Sequence, residues 1–129
     1  MASQLFPKGA GHILGASTAV DMTANNIKIL FYSAAITTTW EFVSDLTGGS
    51  IIARSGNLAG KTTTNGVFDA NDITVSAVSG SAFTHVILYA DTGTDSTSRL
   101  VAVFDVTSFT PNGGDITVVF NASGLFSIA

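Results

Sequence analysis

The sequence predicts an all-β protein, and three observations predict it. Helix formers are scarce, with one Glu, one Gln and three Lys among 129 residues, while Val, Ile, Thr and Phe are plentiful. Short apolar segments alternate with polar residues at the period of a strand. Turn-forming clusters such as "ANN", "GNLAG", "TNG", "DAND", "SGS" and "TPNGGD" separate them at the spacing of an antiparallel β-sandwich or barrel.

Taken in order, residues 1–20 read as an extended N-terminal arm. Gly9, Gly11 and Gly15 interrupt the apolar Leu5, Phe6, Ile13 and Leu14, which is poor material for a self-contained helix or strand. Those four side chains are costly in water, so the arm is expected to dock on the body or on a neighbouring subunit. Residues 21–129 form a single domain, since 129 residues suffice for one core and not for two.

The first strand of that domain is Ile27–Tyr32. Trp40–Leu46 reads as a short helical turn, with Thr39 the N-cap candidate and Gly48 and Gly49 the stop. Ile51–Arg54 is a short strand and Val67–Phe68 an even shorter one. Asp72–Val78 and Asp115–Phe120 alternate cleanly, with Ile73, Val75 and Ala77 opposed to Thr74 and Ser76, and Ile116, Val118 and Phe120 opposed to Thr117. Ala82–Ala90 and Leu100–Phe104 are apolar on both faces, so they lie centrally or have an outer face covered by another chain. Leu125–Ile128 ends the series.

Composition narrows function. Charged residues are only 11% of the chain, Ser and Thr together number 31, and the mean hydropathy is +0.45. A surface of hydroxyls and amides suits a protein packed against copies of itself or a partner. Net charge is −4, and the five cations Lys8, Lys28, Arg54, Lys61 and Arg99 are dispersed, so no nucleic-acid partner is expected. No apolar run is long enough for a membrane-spanning helix, and the N-terminus lacks a secretory leader pattern, so no membrane partner is expected. With no cysteine there are no disulfides, thiol chemistry or iron–sulfur clusters, and the redox compartment stays open.

Several motifs invite chemistry and fall short of it. "RSGNLAGKTTTNG" contains Gly-Lys-Thr, but Ser55 stands where the first P-loop glycine belongs, and Thr62, Thr63 and Thr64 follow where a helix should start. "DTG" at Asp91–Gly93 after an apolar strand is the aspartic-protease signature, yet only 38 residues follow Asp91 and no supporting Gly-Arg-Asn or Gly-Arg-Asp segment is present. A polar hairpin loop in which Thr92, Thr94, Ser96 and Ser98 satisfy backbone groups is the expected arrangement. His12 and His85 are far apart, with no second ligand at metal spacing, and His85 is expected to be a hydrogen-bonded core or interface residue. Asp91 with Asp95, and Asp69 with Asp72, lack a calcium-loop pattern. No catalytic, cofactor or metal residues are therefore assigned.

The C-terminal third is informative as a whole. "VILYADTGTDSTSRLVAVFD", then "TPNGGDITVVF" and a final "LFSIA", resembles a group of small structural proteins of tailed-bacteriophage particles, whose pattern runs "VIYKDTGT", "LVAYID", "TPNGGDITV". The likeness reaches back through "SDLTGGSIIARSGNLAGKTTTNGVFDANDITV" and covers residues 27–129; "FNASGLFSIA" departs from the family's Trp-containing tail. The resemblance implies a virion protein of the head decoration or cement type, with a jelly-roll-like sandwich of about eight strands, made in the bacterial host cytoplasm and carried on the capsid surface. Its partners would be the major capsid protein and copies of itself. Leu5, Phe6, Ile13 and Leu14 of the arm, with Val86, Leu88, Val101 and Val103 of the doubly apolar strands, are the candidate partner-binding residues. A tail, neck or fibre component would use the same fold. A carbohydrate-binding module, stacking sugars on Trp40, Tyr32 and Tyr89, is the alternative of another class.

Overall fold

The computed structural model describes residues 4–6, 25–37, 39–62, 69–120 and 126–128. Among these the chain is mostly β, with a single short 3-10 turn. The strands are β1 (Gln4–Leu5), β2 (Ile27–Tyr32), β3 (Ile51–Arg54), β4 (Ile73–Val75), β5 (Phe83–Ala90), β6 (Arg99–Phe109), β7 (Ile116–Phe120) and β8 (Phe126–Ile128). All pair antiparallel, in a five-stranded sheet ordered β1-β6-β5-β2-β3 and a three-stranded sheet ordered β4-β7-β8.

Alternation along β2 divides the core in two. Ile27, Ile29 and Phe31 share one cluster with Val86 and Leu88 of β5 and with Val75, Ile116 and Val118 of the smaller sheet. Leu30 and Tyr32 face the other way, into a cluster with Ile87, Tyr89, Leu100, Val103, Val43 and Phe6. Ala34, Ile36, Trp40 and Leu46 pack against that second cluster, so the segment between β2 and β3 forms its cover. The doubly apolar β5 is thus central and buried on both faces by its own chain.

β6 departs from simple alternation for a visible reason. Ala90 pairs with Arg99 and Tyr89 with Leu100, but Leu88 pairs with Ala102, so Val101 is an extra residue on the β6 side. This β-bulge places Val101 and Ala102 in the same cluster and sends Leu100 and Val103 to the opposite one. A second register shift lets β6 run on to Phe109, well past the expected end at Phe104.

Two expectations are corrected. Asp72–Val78 narrows to Ile73–Val75, because Ala77 sits at φ 54°, in the left-handed region that ends a strand. The helical turn shrinks to Val43–Asp45, and its cap is not Thr39: the Asp45 carboxylate accepts the backbone N–H groups of Glu41 and Phe42, each at 2.9 Å. Within the expected arm, residues 4–6 form an edge strand on β6 of the same chain. Ile13, Leu14, His12 and the expected Val67–Phe68 strand lie outside the described residues.

Candidate functional site

The polar groups of the large sheet gather at the end where β5 turns into β6. Lys28 lies opposite Tyr89 in the β2–β5 ladder, and Arg54 closes β3 beside Leu30. The 91–98 loop brings two carboxylates over them. Lys28 Nζ is 2.7 Å from Asp91 Oδ2, with side chains 26% and 16% exposed. The Arg54 guanidinium grips Asp95 with both terminal nitrogens, at 2.7 and 2.8 Å, in a fork-to-fork pair 36% and 46% exposed. Arg54 also lies 6.0 Å from the Tyr89 ring centre.

These pairings set the ionisation. The hydrogen bond from Lys28 holds the Asp91 carboxyl below its usual range, helped by the Gly93 N–H, and that from Arg54 does the same for Asp95. Lys28 is raised in return by the bond to Asp91. Burial, against the opposing pull of Arg54, pushes the Tyr89 phenol up. Asp91 Oδ1 also accepts the Gly93 N–H at 3.1 Å.

The loop itself is closed by hydroxyls. Ser98, fully buried, donates to the Thr94 carbonyl at 2.9 Å and accepts the Thr92 N–H at 3.0 Å. Thr92 Oγ1 and Thr97 Oγ1 both donate to the Thr94 carbonyl. The loop is then pinned to the 3-10 turn: Val43 N–H donates to the Ser98 carbonyl at 2.9 Å and Ser44 N–H to the Asp95 carbonyl at 3.2 Å. Arg99 stacks 5.3 Å from the Phe42 ring centre. This is the hydroxyl-satisfied hairpin loop that the sequence suggests, extended by ion pairs that it does not announce.

The segment leading into Gly-Lys-Thr is tied to the large sheet. Ser55 and Leu58 donate their N–H groups to the Ile29 and Ile27 carbonyls at 2.9 and 2.8 Å, so the chain continues from β3 along the same side of β2. Ser55 Oγ, in turn, accepts the Ile29 N–H at 3.0 Å. Lys61 Nζ donates to the Asn25 carbonyl. The Thr62 N–H donates to the Asp69 carbonyl at 2.8 Å.

His85, near the other end of β5, places Nε2 2.8 Å from Asp105 Oδ1 and Nδ1 2.9 Å from Thr84 Oγ1. No three His, Asp or Glu side chains among the described residues converge to hold a metal ion, and no helix among them is long and apolar enough to cross a membrane.

The candidate partner-binding residues fall in unexpected places. Val86, Leu88 and Val101 are buried between the two sheets, and Val103 is buried on the opposite face, because the bulge at Val101 breaks the parity that would have aligned it with Val101. All four are covered by the chain's own residues. Leu5 lies in β1, and Phe6 is fully buried in the second cluster. Tyr32 and Tyr89 are likewise buried, with Trp40 standing edge-on to Tyr32 at 6.2 Å, so they form no open platform for a sugar ring. The one large apolar side chain exposed among the described residues is Phe109, at 37%.

No protein-family model and no curated protein sequence matches the chain.

Proposed function

We propose that this chain is a structural protein of a tailed-bacteriophage particle, a head decoration or cement protein whose two sheets stack as a jelly-roll-like sandwich. The sandwich reading is supported by the cluster that joins Phe31, Val86 and Leu88 of one sheet to Val75, Ile116 and Val118 of the other. The virion reading is carried by one observation: the run from Val86 to Phe120, through which the chain resembles those proteins, is also the run that builds β5, the 91–98 loop, β6 and β7. Its most specific piece, "TPNGGDITV", makes the crossing from the large sheet to the small one. There Gly113 N–H donates to the Val78 carbonyl at 2.7 Å, Val78 N–H donates to the Gly114 carbonyl at 2.9 Å, and Gly113 takes φ 87°.

Surface chemistry supports the same reading. With 11% charged residues and its strongest charges paired at the 91–98 loop, the chain meets a neighbour with little desolvation of ions. Many weakly bound copies would stabilise a shell collectively. The partners proposed are the major capsid protein and further copies of this chain, with no enzymatic role.

The test uses particles. Heads assembled without this chain should open at lower temperature than complete ones and regain their resistance when the purified protein is added back. Heads that neither weaken without it nor bind it on addition would overturn the decoration role.

A further inference from the structure

The N-terminal strand sits on the sheet in a way that does not require it to come from the same molecule. Gln4 and Leu5 pair with Val103 and Ala102, Phe6 N–H donates to the Val101 carbonyl at 2.9 Å, and the Phe6 ring is fully buried among Leu30, Tyr32, Ile87 and Leu100. Without these three residues β6 would present an apolar edge with unpaired backbone groups. Yet they are joined to the next described residue, Asn25, by the eighteen residues 7–24.

Length decides what that connection permits. β1 and β2 are separated by β6 and β5, three strand spacings or about 14 Å. Eighteen residues reach on the order of 60 Å. The connection closes within one chain and also reaches a neighbouring sheet.

We infer that the β6 edge and the Phe6 socket are a strand-exchange site, filled by Gln4–Phe6 of a second copy of this chain whenever copies are crowded. Exchange reproduces every contact of the closed form, so it costs no interaction energy. The balance is set by concentration: a copy's own strand competes with those of its neighbours, so exchange grows as copies are packed more densely. A second copy is the occupant because each copy carries the one segment known to fit the socket. The low charge, net −4 with 11% charged residues, leaves little repulsion between copies. The inference needs only the purified protein and stands or falls apart from the virion reading.

The absence of cysteine allows a clean test. Because Phe6 and Val101 form a hydrogen-bonded pair, the adjacent Leu5 and Ala102 are a non-hydrogen-bonded pair, with Cα atoms about 4.5 Å apart and within disulfide reach. The double variant L5C/A102C, oxidised dilute, should form an intrachain disulfide; failure to do so means β1 does not occupy this edge and overturns the inference. Tagged L5C mixed with untagged A102C and oxidised at about 1 mM should give the mixed dimer several-fold above either like-with-like dimer, and not at about 1 µM. A statistical mixture, or no mixed dimer, overturns it. As a second approach, deleting residues 7–24 joins Phe6 directly to Asn25 and forbids closure within one chain. Light scattering should then show a dimer or larger ring, and a folded monomer would contradict the proposal.

Discussion

The two faces of the five-stranded sheet are closed in different ways. On one, Ile27, Ile29, Phe31, Val86 and Leu88 meet a second sheet, so the cover is itself held by ladders and cannot leave without unfolding. On the other, Leu30, Tyr32, Ile87 and Tyr89 meet a loop segment with a three-residue 3-10 turn and the ring of Phe6, carried on a strand of two residues. The same alternating strands supply both apolar surfaces. What differs is how far along the chain their covers are anchored, and therefore how much of each cover can open locally.

Substitutions can break that comparison. Phe31 is fully buried and stacked on Phe83 at 4.4 Å, so F31A should cost about 3–5 kcal/mol in urea unfolding. F6A removes an equally buried ring, but its cost is limited to the free energy that docks residues 4–6. Burial of one ring contributes about 2–3 kcal/mol, partly offset by the ordering of three residues. The expected loss is about 2 kcal/mol or less, with hydrogen exchange speeding up along the β6 edge and not in β5. If F6A proves as costly as F31A, the second cover is not separable.

The loop cover can be probed at Gly49, where an added Cβ would fall 2.5 Å from the Ala34 Cβ and 3.1 Å from its backbone nitrogen. G49A should lower stability by about 1–3 kcal/mol through overpacking, read in the same urea titration. An unchanged midpoint would mean that the loop yields freely.

A smaller effect is expected from the ion pairs that fasten the 91–98 loop to the second face. Asp91 and Asp95 have folded pKa values below their unfolded ones, so their contribution is present at neutral pH and lost as acid protonates them, below about pH 4. Lys28 is shifted up, so its share persists below its ordinary value and is lost only as pH rises through the folded one. Because the Arg54–Asp95 pair is more than one third exposed, D95N should cost less than about 1 kcal/mol at pH 7. Its difference from the parent should shrink progressively in melts taken below about pH 4. A difference that stays constant as the pH is lowered would assign the effect to the loop backbone instead of charge.

The smallest expected change is a gain. Ala77 holds φ 54°, and A77G relieves that strain for about 1 kcal/mol, offset in part by glycine's freedom in the unfolded chain. A slightly raised melting temperature is the expected reading; a fall would show that Ala77 is not strained.

Much of the framework was legible because it rests on local pattern. The centrality of β5 follows from "VILYA" being apolar at every position, and the alternation in "DITVVF" gives β7 its single buried face. What stayed hidden depends on partners distant in sequence. A bulge at Val101 leaves no mark in "LVAVF", and it is what separates Val101 from Val103. The end of β4 at Val75 goes with a turn at Ala77, whose N–H donates to Asp115 Oδ1 at 3.1 Å across 38 positions. Lys28–Asp91 and Arg54–Asp95 join residues whose pairing no spacing rule announces. The anchoring of Phe6 was half visible: its apolarity called for a dock, while the socket needed three strands from elsewhere in the chain.

The most direct measurement is the number of copies of this chain in purified particles, counted by quantitative mass spectrometry against the major capsid protein. A shell-covering decoration protein requires hundreds of copies, close to a fixed ratio with the capsid subunit. A count on the order of three to twelve, as symmetric tail assemblies carry, would contradict the decoration role and move the chain to the tail or neck, and its absence from particles would contradict the virion role altogether.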